Sequence, residues 1–328
     1  MTGQHDSPTS PRPVPGTGPR PVPSGTQFPI AHGNQRATVV EVGAAIREYV
    51  VGDRAVFQSF AEHEVSWAYH GSVLVPWPNR VRDGRYEFDG EKYQLALSEP
   101  ARLTALHGLA AWQRWELLDQ SASSVTLQFR LLPSPGYPFH LDTVVRYALG
   151  DDGLAVTTTS TNVGARACPY AIGFHPYVWS GAAAPTGDDA PLDACTLQLD
   201  AGRRFVPDER LIPIGADDVE GTVYDFRTSR SLAGVRLDDG FTDVIADAEG
   251  RSSAWVAGID GRSVQVWADS TFGFWQIFSG DTLPADIARR SLAVEPMTAA
   301  PNAFESGEGL LRLLPGESVT TQWGARLH

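Results

Sequence analysis

Apolar and polar residues alternate with a period of two along much of the chain. Val125, Leu127, Phe129 and Leu131 alternate with Thr126, Gln128 and Arg130, and Leu141, Thr143, Val145 and Tyr147 form a second odd-numbered face. Successive side chains of an extended strand point to opposite sides, so this period predicts half-buried strands and not helices. Residues 154–159 are rich in strand formers, and 264–267 and 274–278 read as short strands ending at Asp269-Ser270 and Ser279-Gly280. The 32 glycines and 24 prolines break these runs at a spacing of about 8–12 residues. Helical stripes are scarce. The pattern predicts an all-β fold, an antiparallel sandwich or barrel.

Residues 1–30 depart from it. Eight of the 24 prolines lie here, and Pro-Arg-Pro-Val-Pro occurs at 11–15 and again at 19–23. Proline fixes φ and removes an amide donor, so the stretch is expected to be a disordered, solvated tail. It reads either as a ligand for a proline-binding partner or as a tail with no specific partner. Residues 31–328 then form one domain, with 180–189 as a surface loop.

Composition narrows the function. The 26 Lys and Arg against 39 Asp and Glu give a formal charge of −13, which argues against nucleic acid or an anionic membrane as partner. Two cysteines, Cys168 and Cys195, exclude a disulfide scaffold or a four-cysteine cluster. No apolar run approaches the roughly 20 residues of a membrane span, and no signal peptide is visible. The expectation is a soluble cytoplasmic protein. Gly-x-Ser-x-Gly, a phosphate-binding glycine loop, His-Glu-x-x-His and the dinucleotide fingerprint are all absent from the sequence.

Four clusters carry candidate chemistry. In Pro76-Trp77-Pro78-Asn79-Arg80, two prolines stiffen the segment around an indole, and an amide and a guanidinium follow. A flat ring beside fixed donors suits a sugar, with its apolar ring faces and hydroxyl rim. The same segment also reads as a structural turn with Arg80 in an ion pair. His107 precedes Gly108, and His175 lies between Phe174 and Pro176 in Gly-Phe-His-Pro-Tyr. Each is either a site residue or a satisfied core histidine. They stand 68 positions apart without a third ligand at local spacing, so no metal is expected. Glu295 ends an apolar stretch and precedes Pro296. It is either a functional carboxylate or a rim glutamate held by an arginine.

In this order the clusters resemble the aldose 1-epimerase (galactose mutarotase-like) family. The likeness rests on segments 76–90, 107–109, 136–139, 162–164, 173–177, 278–281 and 295–318, and covers about residues 35–325. The Pro-Trp-Pro-Asn-Arg form is similar to a bacterial subgroup of uncharacterised or sulfosugar-type epimerases. Many relatives carry a basic residue soon after the His-Gly pair, where this chain has Ala110-Ala111-Trp112.

The resemblance implies a large antiparallel β-sandwich of the galactose mutarotase-like supersandwich type that binds a sugar and interconverts its α and β anomers without a cofactor. It makes Glu295 the general base, His175 the general acid and His107 a second site histidine. Asn79, Arg80, Gln276 and Asp238 become sugar contacts, with Asp243 as the rival of Asp238. Trp77 and Tyr177 complete the expected contacts. The expected partner is a free monosaccharide, and the expected assembly a monomer or homodimer. Ordinary values near 4.3 for a carboxyl and 6.5 for an imidazole leave a window in which the base is ionised and the acid protonated. Two alternatives stand beside this. One is an epimerase of an anionic sugar, with Arg82, Arg85, Arg203, Arg204, Arg289 and Arg290 available for the charge. The other is a non-catalytic sugar-binding module.

Overall fold

A computed structural model describes residues 22–181 and 190–328. Most of the proline-rich tail and most of the 180–189 loop lie outside the described residues. The two alternating segments form strands Ser124–Leu131 and Leu141–Gly150, paired antiparallel with Val125 opposite Tyr147 and Leu127 opposite Val145. Val125, Leu127, Val145 and Tyr147 are fully buried, as the alternation requires.

Two large antiparallel sheets face each other. The first has twelve strands and runs from Gln27–His32 at one edge, through Tyr177–Trp179, Ser291–Met297, Phe274–Phe278 and Asp238–Val244, to Pro213–Asp218 at the other. The second has nine, with Leu141–Gly150, Gly153–Asn162, Ser318–Leu327 and Ser263–Ala268 in its middle. Trp323 of the second sheet packs on Phe57 and Phe174 of the first, with ring centroids 6.4 and 5.2 Å apart. The Tyr147 hydroxyl reaches across to donate to the Ala44 carbonyl at 2.7 Å. Among the described residues the only α-helix is the four-residue turn Ala303–Ser306.

The ordered body starts before the expected boundary at residue 31. Gln27–His32 pairs along its whole length with Gln35–Val40, and Phe28 and Ile30 enter the main core. Pro29 is tolerated because the strand is an edge, where a missing amide donor leaves no ladder bond unmade. The proline count hid the alternation of Phe28 and Ile30.

Strand register sets the functional face. Tyr177 lies opposite Ala293, Gln276 opposite Glu295, and Gly240 opposite Gln276. Directly paired residues share a face, and so do residues two apart on one strand. Tyr177, Glu295, Gln276 and Asp238 therefore project from one side of the first sheet. The intervening Val178, Leu292, Val294, Trp275, Ile277 and Phe241 point the other way, into the main core. Because Phe28 is a core residue, Phe28→Ala should cost about 3–5 kcal/mol. That would appear as a lower urea midpoint; an unchanged midpoint would restore the tail boundary to residue 31.

Candidate active site

The face defined by that register forms the floor of a cleft of about 220 Å³. Glu295, His175, His107, Asn79, Arg80, Tyr177, Asp238 and Gln276 all line it. Residues up to 216 positions apart in sequence thus meet in one cavity. Asp243, the rival of Asp238, is exposed and lies off the cleft.

One expected contact is displaced. Trp77 is 2% exposed, belongs to the main core and packs on Phe304 with ring centroids 5.3 Å apart. The prolines on either side stiffen the segment, but the indole turns inward, where its large apolar area is buried. Trp77 supports the cleft from behind and offers no face to a sugar.

Asn79 and His107 interlock through their main chains. Both adopt left-handed conformations, with φ of 54° and 58°. The His107 amide donates to the Asn79 carbonyl at 2.9 Å, and the Asn79 amide donates to His107 Nδ1 at 3.1 Å. An Nδ1 that accepts a hydrogen bond belongs to the neutral tautomer carrying its proton on Nε2. Gly108 lets this crossing occur. A Cβ there would lie 2.3 Å from the Val75 carbonyl oxygen, and its φ is +73°. The Asn79 side-chain oxygen is used locally, accepting from the Arg80 amide at 2.8 Å.

Arg80 is clamped by carboxylates. Its Nε and Nη2 donate to the two oxygens of Glu99 at 2.9 and 3.1 Å, and Nη2 lies 3.7 Å from Asp238. Glu99 also accepts from the Thr104 hydroxyl at 2.6 Å and pairs with Arg102 at 3.2 Å. Burial pushes the Glu99 carboxyl up, but these partners outweigh it and hold the group below its usual range. Glu99 had no motif to announce it; only Arg80, paired in the β-ladder with Leu106, brings it in. Tyr69, which rests on His107 at 4.5 Å between ring centroids, was equally silent. Asp238 accepts from Gln276 Nε2 at 2.7 Å.

The central pair is His175 and Glu295. His175 Nε2 lies 3.3 Å from Glu295 Oε1, and the imidazole stacks on Tyr177 at 5.0 Å and 19°. Both residues are almost wholly buried. Burial, helped by the charge of Asp238 and opposed by Arg80, raises the Glu295 carboxyl well above its ordinary value. Burial, opposed by a backbone hydrogen bond and aided by Arg80, lowers His175 to about 3. His107 is driven well below its ordinary value by burial and by the nearby His175 and Arg80. The expected window between an ordinary carboxyl and an ordinary imidazole is therefore replaced. Burial shifts the carboxyl toward its protonated form and the imidazole toward its neutral form, and both shifts favour a pair that shares one proton between two partners in contact.

Folding also supplies the third ligand that local spacing lacked. One ligand atom each from His107, His175 and Glu295 lies within 4.8 Å of the others. Ligands of tetrahedral zinc stand about 3.4 Å apart, so the trio is wider than such a site, and the adjacent Arg80 guanidinium repels a cation. The arrangement fits proton exchange better than metal ligation.

The sequence model of the family described as Aldose 1-epimerase matches residues 27–324. The Escherichia coli (strain K12) protein YihR, described as uncharacterized, is 35% identical over 291 residues, 87% of this chain and 88% of its own length. Galactose mutarotase of Rattus norvegicus is 28% identical over 281 residues, 79% of this chain and 78% of that protein. The crystal structure of a putative aldose 1-epimerase from E. coli K12 superposes with a TM-score of 0.79 at 23% identity, covering 92% of this chain and 99% of the other. Its likeness concerns the fold. A match that spans nearly the whole described body, sandwich and cleft included, means that this chain is a member of the aldose 1-epimerase family.

Proposed function

We propose that the protein is a mutarotase that exchanges the α and β anomers of a free, neutral aldohexose. The observation that carries this reading is the buried 3.3 Å contact of His175 with Glu295 at the floor of a sugar-sized cleft. Ring opening needs one group to take the O1 proton and another to give a proton to the ring oxygen. A pair holding one proton meets that need. On binding, the proton passes from the carboxyl to the imidazole across their contact. Glu295 then removes the O1 proton as the C1–O5 bond breaks, and the bond's electrons go to O5, which takes the proton from His175. O1 becomes the aldehyde oxygen. Rotation about C1–C2 and closure with the roles exchanged give the other anomer. His107, with its proton on Nε2, donates to a sugar oxygen, and Arg80, Asp238 and Gln276 read hydroxyls.

The charge balance of the cleft favours a neutral sugar. Its cations, Arg80 and Arg102, share the Glu99 carboxylate, and Asp238 is beside Arg80. An anionic substituent would have to displace a carboxylate already in place. The six arginines considered for an anionic sugar do not line the cleft. Arg82, Arg203, Arg204 and Arg289 are each engaged by Asp208, Asp218, Asp239 and Asp193 in turn, and Arg85 bonds Gln94. NMR exchange spectroscopy on glucose, galactose and glucose 6-phosphate tests the reading. Exchange should be enhanced for a neutral hexose; enhancement confined to the phosphate would reverse the charge argument, and binding without exchange would leave a sugar-binding module.

Glu295→Gln and His175→Asn should each slow exchange by at least ~10²-fold with the fold retained. Near-normal rates in both would remove the pair from the mechanism. Glu295→Gln should also change stability in a pH-dependent way. A folded-state carboxyl value raised above the unfolded one contributes stability below about pH 4.3, and this is lost as pH rises through the folded value. Gln does not titrate, so the melting temperature of the variant should gain on the wild type between pH 4 and pH 8. A gap that does not move with pH would contradict the raised value.

The one-proton state extends from about 3 to well above the ordinary carboxyl value. With His175 lowered to about 3, the acid limb of the kcat/KM profile that the imidazole sets should lie well below pH 6.5. An acid limb centred there would mean that His175 titrates as a free imidazole.

A further inference from the structure

The proposed function leaves two features of the sequence unused, the segment Phe278-Ser279-Gly280-Asp281 and Arg289. The structure joins them. The Arg289 side chain is 13% exposed, and all five of its donors are engaged. Nη1 donates to the two oxygens of Asp281 at 3.0 and 3.2 Å, and to the Val235 carbonyl at 3.0 Å. Nε and Nη2 both donate to Asp193, and Nη2 reaches the Leu232 carbonyl at 3.1 Å. Asp281 accepts in turn from the Ser279 hydroxyl, and Ser279 Oγ accepts from the Leu237 amide at 2.8 Å. The Ser279 amide returns a bond to the Leu237 carbonyl at 2.9 Å. The network therefore ends on the residue just before Asp238.

A buried ion pair is an expensive way to hold a loop, and an apolar contact would serve stability as well. Its position supplies the reason for it. Asp238 is the first residue of its strand and pairs with Phe278. A strand end frays unless something ties it. The reciprocal Ser279–Leu237 bonds continue the ladder one step past that pair, and the Arg289–Asp281 ion pair holds Ser279 in place. Asp238 is thereby kept where it accepts from Gln276 and faces Arg80. The same ion pair closes the neck of loop 280–289, which carries Thr282 and Leu283 to the cleft. Gly280 and Arg289 both have left-handed backbones, with φ of 74° and 51°, and a Cβ on Gly280 would lie 3.4 Å from the Arg289 amide nitrogen. A left-handed arginine is strained, and such strain persists where the surroundings enforce it, most often at functional sites. Arg236 is a second guanidinium near Asp281, but it is largely exposed and 3.7 Å away, too far to replace Arg289.

Resting on the proposed function, we infer that Arg289 is a positioning residue that holds Asp238 in the cleft through Asp281 and Ser279. Anomer exchange of glucose by the full chain, with kcat and KM measured separately, tests this. Asp238 binds sugar and moves no proton in the proposed reaction. Arg289→Met should therefore raise KM about tenfold, the effect of one lost hydrogen bond to a charged group, and leave kcat within about twofold. Arg289→Lys keeps a cation beside Asp281 and should recover part of the loss. In an Asp238→Ala background, Arg289→Met should raise KM by less than about twofold, because the contact it serves is already gone. An equal rise in both backgrounds would place the effect elsewhere in the fold and overturn the inference, as would an unchanged KM. Should Arg289→Met fail to fold, Ser279→Ala cuts the link to Leu237 with the ion pair intact. Its KM should rise likewise, and a wild-type KM would refute the role. Hydrogen exchange of residues 235–239, followed by mass spectrometry, needs no turnover. It should speed about tenfold in either variant; protection equal to the wild type would sink the proposal. A wild type that exchanges no sugar would defeat the mutarotase reading instead, and the hydrogen-exchange rates would then decide the role of Arg289 alone.

Discussion

A carboxyl group almost closed to water touches an imidazole in the same condition, and the rest of the structure makes that contact tolerable. A lone buried carboxylate is expensive, and so is a lone imidazolium. Together, with one proton between them, His175 and Glu295 require no net charge in the interior. The surroundings follow the same rule. Glu99 and Asp238 offset Arg80 and Arg102, so the cleft is rich in charged groups and poor in uncompensated charge. Such a site has little net attraction for ions, and that is the electrostatic argument behind the neutral substrate proposed.

The strands that hold this pair explain its rigidity. Glu295 and Gln276 are directly opposed on neighbouring strands in the interior of a twelve-stranded sheet, and Asp238 and Tyr177 occupy matched positions on the flanking strands. A one-residue slip of any of these strands would turn its site residue into the core and a core residue into the cleft. The packing of Trp275, Ile277, Val294 and Leu292 beneath the sheet thus fixes the chemistry above it. The arrangement of the cleft is specified by apolar side chains that lie in the core and do not line it.

Much of this was legible in the sequence. Period-two alternation announces the sheets because burial on one face is a local pattern. The Gly-Phe-His-Pro-Tyr segment and the Glu-Pro pair stand out because a titratable side chain in an apolar, proline-bounded setting is costly without a purpose. Glu99, Tyr69 and the direction of Trp77 were illegible for a common reason. Each depends on which side of a loop faces inward, and loops have no period to read. Gln27–His32 was obscured by composition, since three prolines between 21 and 29 outweighed the alternation of Phe28 and Ile30. The raised carboxyl and lowered imidazole were also beyond the sequence, because depth of burial decides the sign of each shift.

The crossed backbones of Asn79 and His107 divide labour between the two histidines. His107 is anchored to a peptide amide, a partner that neither gains nor loses a proton in the accessible pH range. That bond fixes its ring orientation and leaves its donor on Nε2. His175 faces a carboxyl, a partner that can itself take up or release a proton and does so in the proposed mechanism. Two chemically identical rings with centroids 5.3 Å apart are thereby made unequal, one a fixed fitting and the other a moving part, by what each happens to lean on.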